Sequence, residues 1–181
     1  QRFSRLFSRD RGESPVEMRR HDAGNSVAFF RQFISVMSVG RERPVYKLIH
    51  LGLPHRPVVV DRECRFVGEI EFSRQAYLDQ SRCAIMLVRA FLDRVRALDI
   101  YDSSLIIVSS DHGTDLTPLG FNGESESLPL AYGPSTMALP AIGGMAKPLM
   151  LIKPPQRTGP MSLSGAPTSH IDLPPTILEV L

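Results

Sequence analysis

The chain has 181 residues, of which 43% are hydrophobic and 22% charged, with 21 lysines and arginines against 19 aspartates and glutamates. This is the composition of an ordinary globular protein long enough to bury a core, and a formal charge of +2 gives no general argument for nucleic-acid binding. No apolar run approaches the roughly 18 to 20 residues needed to cross a bilayer.

Residues 1–24 are polar and rich in arginine, with Gly12, Pro15 and Gly24 as breakers, so a largely irregular arm is expected there. The chain starts at Gln1 without a signal segment, and the expectation is a piece of a longer protein. Asn25 or Ser26 is placed to cap a helix through about Val39, because Val27, Phe30, Ile34 and Met37 recur at helical spacing. Val45 to Leu53 reads as a strand that ends in Pro54, His55, Arg56 and Pro57, leaving His55 at its carboxyl edge. His50, inside that strand, reads as a structural histidine. Residues 58–72 look irregular. Ser73 then caps a long amphipathic helix, about Gln75 to Leu98, whose stripe is Ala84, Leu87, Val88, Phe91, Leu92, Val95 and Leu98.

Leu105 to Val108 is a short apolar run consistent with a strand covered on both faces. It leads through two serines into Asp111, His112 and Gly113. The order strand, helix, strand predicts a βαβ crossover and a parallel pair. In such sheets ligands bind at the carboxyl ends of strands, and a carboxylate beside an imidazole suits zinc, manganese or a related divalent ion. The alternative for this pair is an Asx turn with a surface histidine. Residues 114–147 read as a long irregular excursion, Lys147 to Lys153 as a returning strand, and Asp172 as the cap of a closing helix with Pro174 and Pro175 in its first turn. Lys153 falls at the expected ligand edge, with a snorkelling surface lysine as the alternative. Cys64 and Cys83 are the only cysteines; a disulfide and two free thiols both remain open.

Four segments in register, HLGLPHRP, YDSSLIIVSSDHG, KPLMLIKPP and SHIDLPPTILEVL, resemble the sulfatase family of the alkaline phosphatase superfamily. The resemblance covers about residues 45–181. The branch also includes membrane-anchored bacterial phosphoglycerol and phosphoethanolamine transferases. The resemblance implies an alkaline-phosphatase-like α/β fold, a three-layer sandwich with a mostly parallel sheet. Residues 25–181 would form its carboxyl-terminal part, and the sheet would be incomplete on its N-terminal side.

Asp111 and His112 would then be metal ligands, and His55 would contact or protonate the substrate anion. A histidine between two prolines that simply faces solvent is the alternative for His55. Asp172 would be a structural cap, and His170 a surface residue rather than a ligand. The implied cofactor is a divalent ion (zinc, manganese or calcium), which an isolated fragment can lack. The implied partners are a sulfate or phosphate ester, no nucleic acid, and a membrane only through a missing N-terminal anchor. The implied location is extracytoplasmic, periplasmic or cell-surface.

The sequence departs from the family in lacking a Cys-x-Pro-x-Arg nucleophile setting and an early acidic ligand. Both are expected upstream of Gln1, so the isolated chain is expected to be inactive and to bind metal weakly. A non-catalytic binding descendant of the fold is the competing expectation. A cytosolic phosphomutase of the same superfamily fits the PHRP and SHID segments less well.

Overall fold

A computed structural model describes residues 15–40, 44–114, 127–129, 136–138 and 144–180. The chain divides into two compact units, Gln1–Leu98 and Asp99–Leu181.

The first unit contains helix α1 (Pro15–Val36), strands β1 (Val58–Val60) and β2 (Phe66–Ile70), and helix α2 (Arg74–Ala97). α1 begins at Pro15, a residue suited to a first helical turn. Residues 15–24 are therefore helical rather than part of an irregular arm, and residues 1–14 lie outside the described residues. α2 forms as its pattern predicts. The Ser73 hydroxyl accepts the Ala76 amide at the N-terminus, and Asp79 with Arg82 and Asp93 with Arg89 pair one turn apart on the solvent side. Val27 and Phe30 of α1, Val59 and Val60 of β1, and Cys83 and Leu87 of α2 share one core with Leu53 and Cys64. Phe30, Phe33 and Phe91 extend it with ring centroids 6.2 to 6.4 Å apart. At the far end, the Arg94 guanidinium donates to the Met37 carbonyl at 2.6 Å, tying α2 to the exit of α1.

Two expectations are corrected here. Val45 to Leu53 is not a strand: residues 44–53 belong to no ladder among the described residues. The chain nevertheless turns Ile49, Leu51 and Leu53 toward the core and exposes Leu48 and His50. The alternating pattern thus arises from one-sided packing of a segment that lacks a hydrogen-bonded neighbour. The strands lie instead in the stretch expected to be irregular. β1 and β2 form an antiparallel hairpin pairing Val58 with Ile70 and Val60 with Phe66, and all three valines of β1 are buried.

The turn of this hairpin is built by Asp61. Its Oδ1 accepts the amides of Glu63 and Arg65 at 3.0 and 2.9 Å, and its Oδ2 meets the Arg65 guanidinium at 2.7 Å. These contacts, led by the Arg65 amide, hold the carboxyl below its ordinary value, and the same pairing raises Arg65. Cys64, in the left-handed region at φ 61°, points across to α2 and forms a disulfide with Cys83. That resolves the open cysteine question in favour of the bridge.

The second unit contains β3 (Ile106–Ser109), β4 (Ser127–Pro129), β5 (Thr136–Ala138), β6 (Met150–Lys153), a 3-10 turn at His170–Asp172 and helix α3 (Leu173–Val180). β4 and β5 pair antiparallel within the stretch expected to be an irregular excursion; most of that stretch lies outside the described residues. β3 and β6 also pair antiparallel, from Ile106 opposite Lys153 to Ser109 opposite Met150. All three ladders among the described residues are antiparallel, so the expected parallel pair is not among them.

The register also moves Lys153. It lies beside the start of β3, away from Asp111, and its Nζ donates to the carbonyls of Asp102 and Ser104 at 2.8 and 3.2 Å and to that of Tyr101. The ammonium sits 4.7 Å from the Tyr101 ring centroid. It closes the entry to β3 and is not at the ligand edge. At the C-terminal end, the Asp172 carboxylate accepts the Ser169 amide at 2.7 Å, so it braces the turn before α3 from inside.

Candidate active site

Asp111 and His112 follow β3 directly, and their loop is held from several sides. The Ser110 amide donates to the Leu149 carbonyl at 3.1 Å, and the Leu149 amide donates back to the Ser110 hydroxyl at 2.8 Å. The Gly113 amide donates to the Met145 carbonyl at 2.8 Å. A Cβ on Gly113 would lie 2.0 Å from the Gly144 carbonyl oxygen and 2.7 Å from that of Lys147, so only glycine allows the two backbones to meet here. His170, expected to have a surface role only, hydrogen bonds through Nε2 to the Ser109 hydroxyl at 2.8 Å. The closing segment therefore reaches the last residue of β3.

The two side chains at the loop tip are both exposed. His112 Nδ1 lies 2.6 Å from the Gly113 carbonyl oxygen. A carbonyl only accepts, so Nδ1 carries a proton, and the lone pair of the ring in its neutral form lies on Nε2. That Nε2 is 3.8 Å from Asp111 Oδ2. Two donors each about 2.1 Å from one ion in tetrahedral geometry would be separated by roughly 3.4 Å. The pair therefore offers one imidazole nitrogen and one carboxylate oxygen near the spacing a single divalent ion needs. A backbone carbonyl orienting the imidazole is also the usual arrangement behind a histidine ligand. Asp111 Oδ1 is occupied by the His112 amide at 3.0 Å, which steadies the carboxylate. Among the described residues no group of three or more His, Cys, Asp or Glu is arranged to hold a metal.

His55 belongs to the first unit. It sits in the irregular segment before β1, not at the end of a strand, and is exposed. Cis peptide bonds precede Pro54 and Pro57 on either side of it. The ring is oriented by Nδ1 donating to the Arg56 carbonyl, which leaves Nε2 outward. The Arg56 guanidinium lies 3.4 Å from the centroid of the Phe72 ring. Beneath, the His55 carbonyl accepts a hydrogen bond from the Gln80 side chain at 2.7 Å.

Gln80 escaped the sequence reading. It lies one heptad before Leu87, on the same face of α2, and a polar residue on an otherwise apolar stripe is the signal that could have found it. A separate cleft lined by Val27, Ala28, Arg31, Val60, Cys64, Arg65 and Phe66 contains none of the candidate residues.

No curated protein and no solved structure matches this chain. A sequence model of the sulfatase family matches residues 2–181. The chain therefore belongs to the sulfatase family of the alkaline phosphatase superfamily, whose members have an alkaline-phosphatase-like α/β fold, act on sulfate esters and typically use divalent metal ions.

Proposed function

We propose that this chain is the carboxyl-terminal part of the catalytic domain of a metal-dependent hydrolase or transferase of sulfate or phosphate esters, working outside the cytoplasm. In the parent protein β3 would be one strand of a larger, mostly parallel three-layer sandwich. The observation that carries the reading is the Asp111–His112 tip, with its fixed tautomer and donor spacing. The disulfide supports the remainder. With Cys64 and Cys83 bonded to each other, neither is available as a formylglycine precursor, so the nucleophile is a different residue. A stable bridge also fits an oxidising compartment.

Asp111 Oδ2 and His112 Nε2 would hold the ion, which when bound neutralises charge on the transferring group and lowers the pKa of a nucleophile. The residues themselves supply orientation. Gly113 lets the loop close against residues 144–147, and the Gly113 carbonyl keeps the imidazole lone pair facing outward. His55 would contact the substrate anion or protonate the leaving oxygen. With Nδ1–H committed to the Arg56 carbonyl, Nε2 is the ring atom left to meet the substrate.

Calorimetric titration of zinc, manganese and calcium into the chain, with and without Asp111→Ala, tests the metal half. Weak binding that falls by more than about tenfold in the variant is expected, whereas equal binding by both proteins would remove Asp111 from the site. No turnover of aryl sulfate or phosphate esters by the chain alone is expected. Turnover abolished by Asp111→Ala would mean that the machinery is complete within these residues.

A further inference from the structure

Gln80 is the one polar side chain fully buried among the described residues. Its amide is satisfied at both ends. Oε1 accepts the Val59 amide at 3.0 Å and the Val60 amide at 3.4 Å, and Nε2 donates to the His55 carbonyl at 2.7 Å. The partners define the amide's orientation, because a flipped group would set its NH2 against two backbone N–H donors. A methionine or leucine at this point of the α2 stripe would fill similar space without the cost of burying an amide. The amide instead joins three parts of the first unit: α2, β1 and the segment bearing His55.

We propose that Gln80 is a positioning residue for His55. It anchors the backbone of that segment from within the core, while the Arg56 carbonyl orients the ring at the surface. An exposed imidazole whose backbone is fixed from below can meet an anion without first being ordered, which is where preorganisation helps binding and catalysis. The inference rests on the reading of His55 as an anion contact.

The test is a sulfate titration of the isotope-labelled full chain, followed by NMR at the His55 imidazole. In the native chain a saturable shift is expected. Gln80→Met should weaken the apparent affinity by roughly tenfold, whereas Leu87→Ala, which opens a cavity in the same core, should change it by less than about twofold despite a lower Tm. An unaltered response in Gln80→Met overturns the inference alone, and silence of His55 in the native chain overturns both the inference and the reading beneath it. If Gln80→Met does not fold, the native chain still decides: the Gln80 side-chain amide resonances should follow the sulfate titration with the same midpoint as His55. A Gln80 amide that stays fixed while His55 shifts overturns the inference.

Discussion

Gly113 occupies a point where two stretches of backbone meet at less than side-chain distance. Gly113→Ala places a methyl group 2.0 Å from the Gly144 carbonyl oxygen, and backbone has no rotamer with which to yield. The expected cost is on the order of 2 kcal/mol in urea denaturation, together with a shift of the loop that carries Asp111 and His112. Asp61 acts differently, through charge. Its folded pKa lies below the ordinary 3.8, chiefly because the Arg65 amide donates to the carboxylate. Its contribution to stability is therefore complete above the unfolded value and lost as pH falls through the lower folded one. Tm measured from neutral pH down to about pH 2 should show a smaller acid-side decline in Asp61→Asn than in the native chain, because the variant has no carboxylate at position 61 to protonate. At this scale the sequence was informative where chemistry is carried by neighbours along the chain. Asp111 and His112 were legible as candidates because they adjoin in one loop, whereas the need for a glycine at 113 comes from Gly144 and Lys147 in a distant segment. The partners of Gln80 were not, since His55 and Val59 come from another segment.

The hairpin β1–β2 and helix α2 are joined covalently by Cys64 and Cys83, 19 positions apart. Closing a loop of that length restricts the unfolded chain by about 3 kcal/mol. The Cys64→Ser, Cys83→Ser double variant is expected to lose roughly that much stability in denaturant titration, with α2 itself retained by circular dichroism because its cap and stripe are local. The elements also show where periodicity is sufficient and where it is not. Helical spacing located α2 within a residue or two, since a helix closes its own hydrogen bonds. The mostly apolar stretch Val45 to Leu53 packs one side against the core from Ile49 onward, yet it produced no strand, because a ladder needs a second segment and none of the described residues supplies one. The same dependence on a partner set the direction of β6. Read as a returning strand, it was placed correctly in the chain; its antiparallel register with β3 is what takes Lys153 to the far end.

At the scale of the whole molecule, the family match over residues 2–181 agrees with the resemblance carried by four separate segments. The extracytoplasmic location proposed above makes a direct demand on the cysteines. Protein recovered from an oxidising compartment, denatured without reductant and treated with a thiol reagent, should yield no free thiol. Two reactive thiols per chain would contradict both the bridge and the compartment. The sequence by itself determined the family and the amphipathic course of α2, and it named Asp111, His112 and His55 as candidates, because residue type and near-neighbour spacing carry that information. Only the tertiary structure decided that the ladders run antiparallel, that Cys64 reaches Cys83, that Lys153 caps the start of β3 and that a buried glutamine underlies His55. Each of these is a contact between residues far apart in the chain, and such contacts depend on how the backbone is paired and buried rather than on any local pattern.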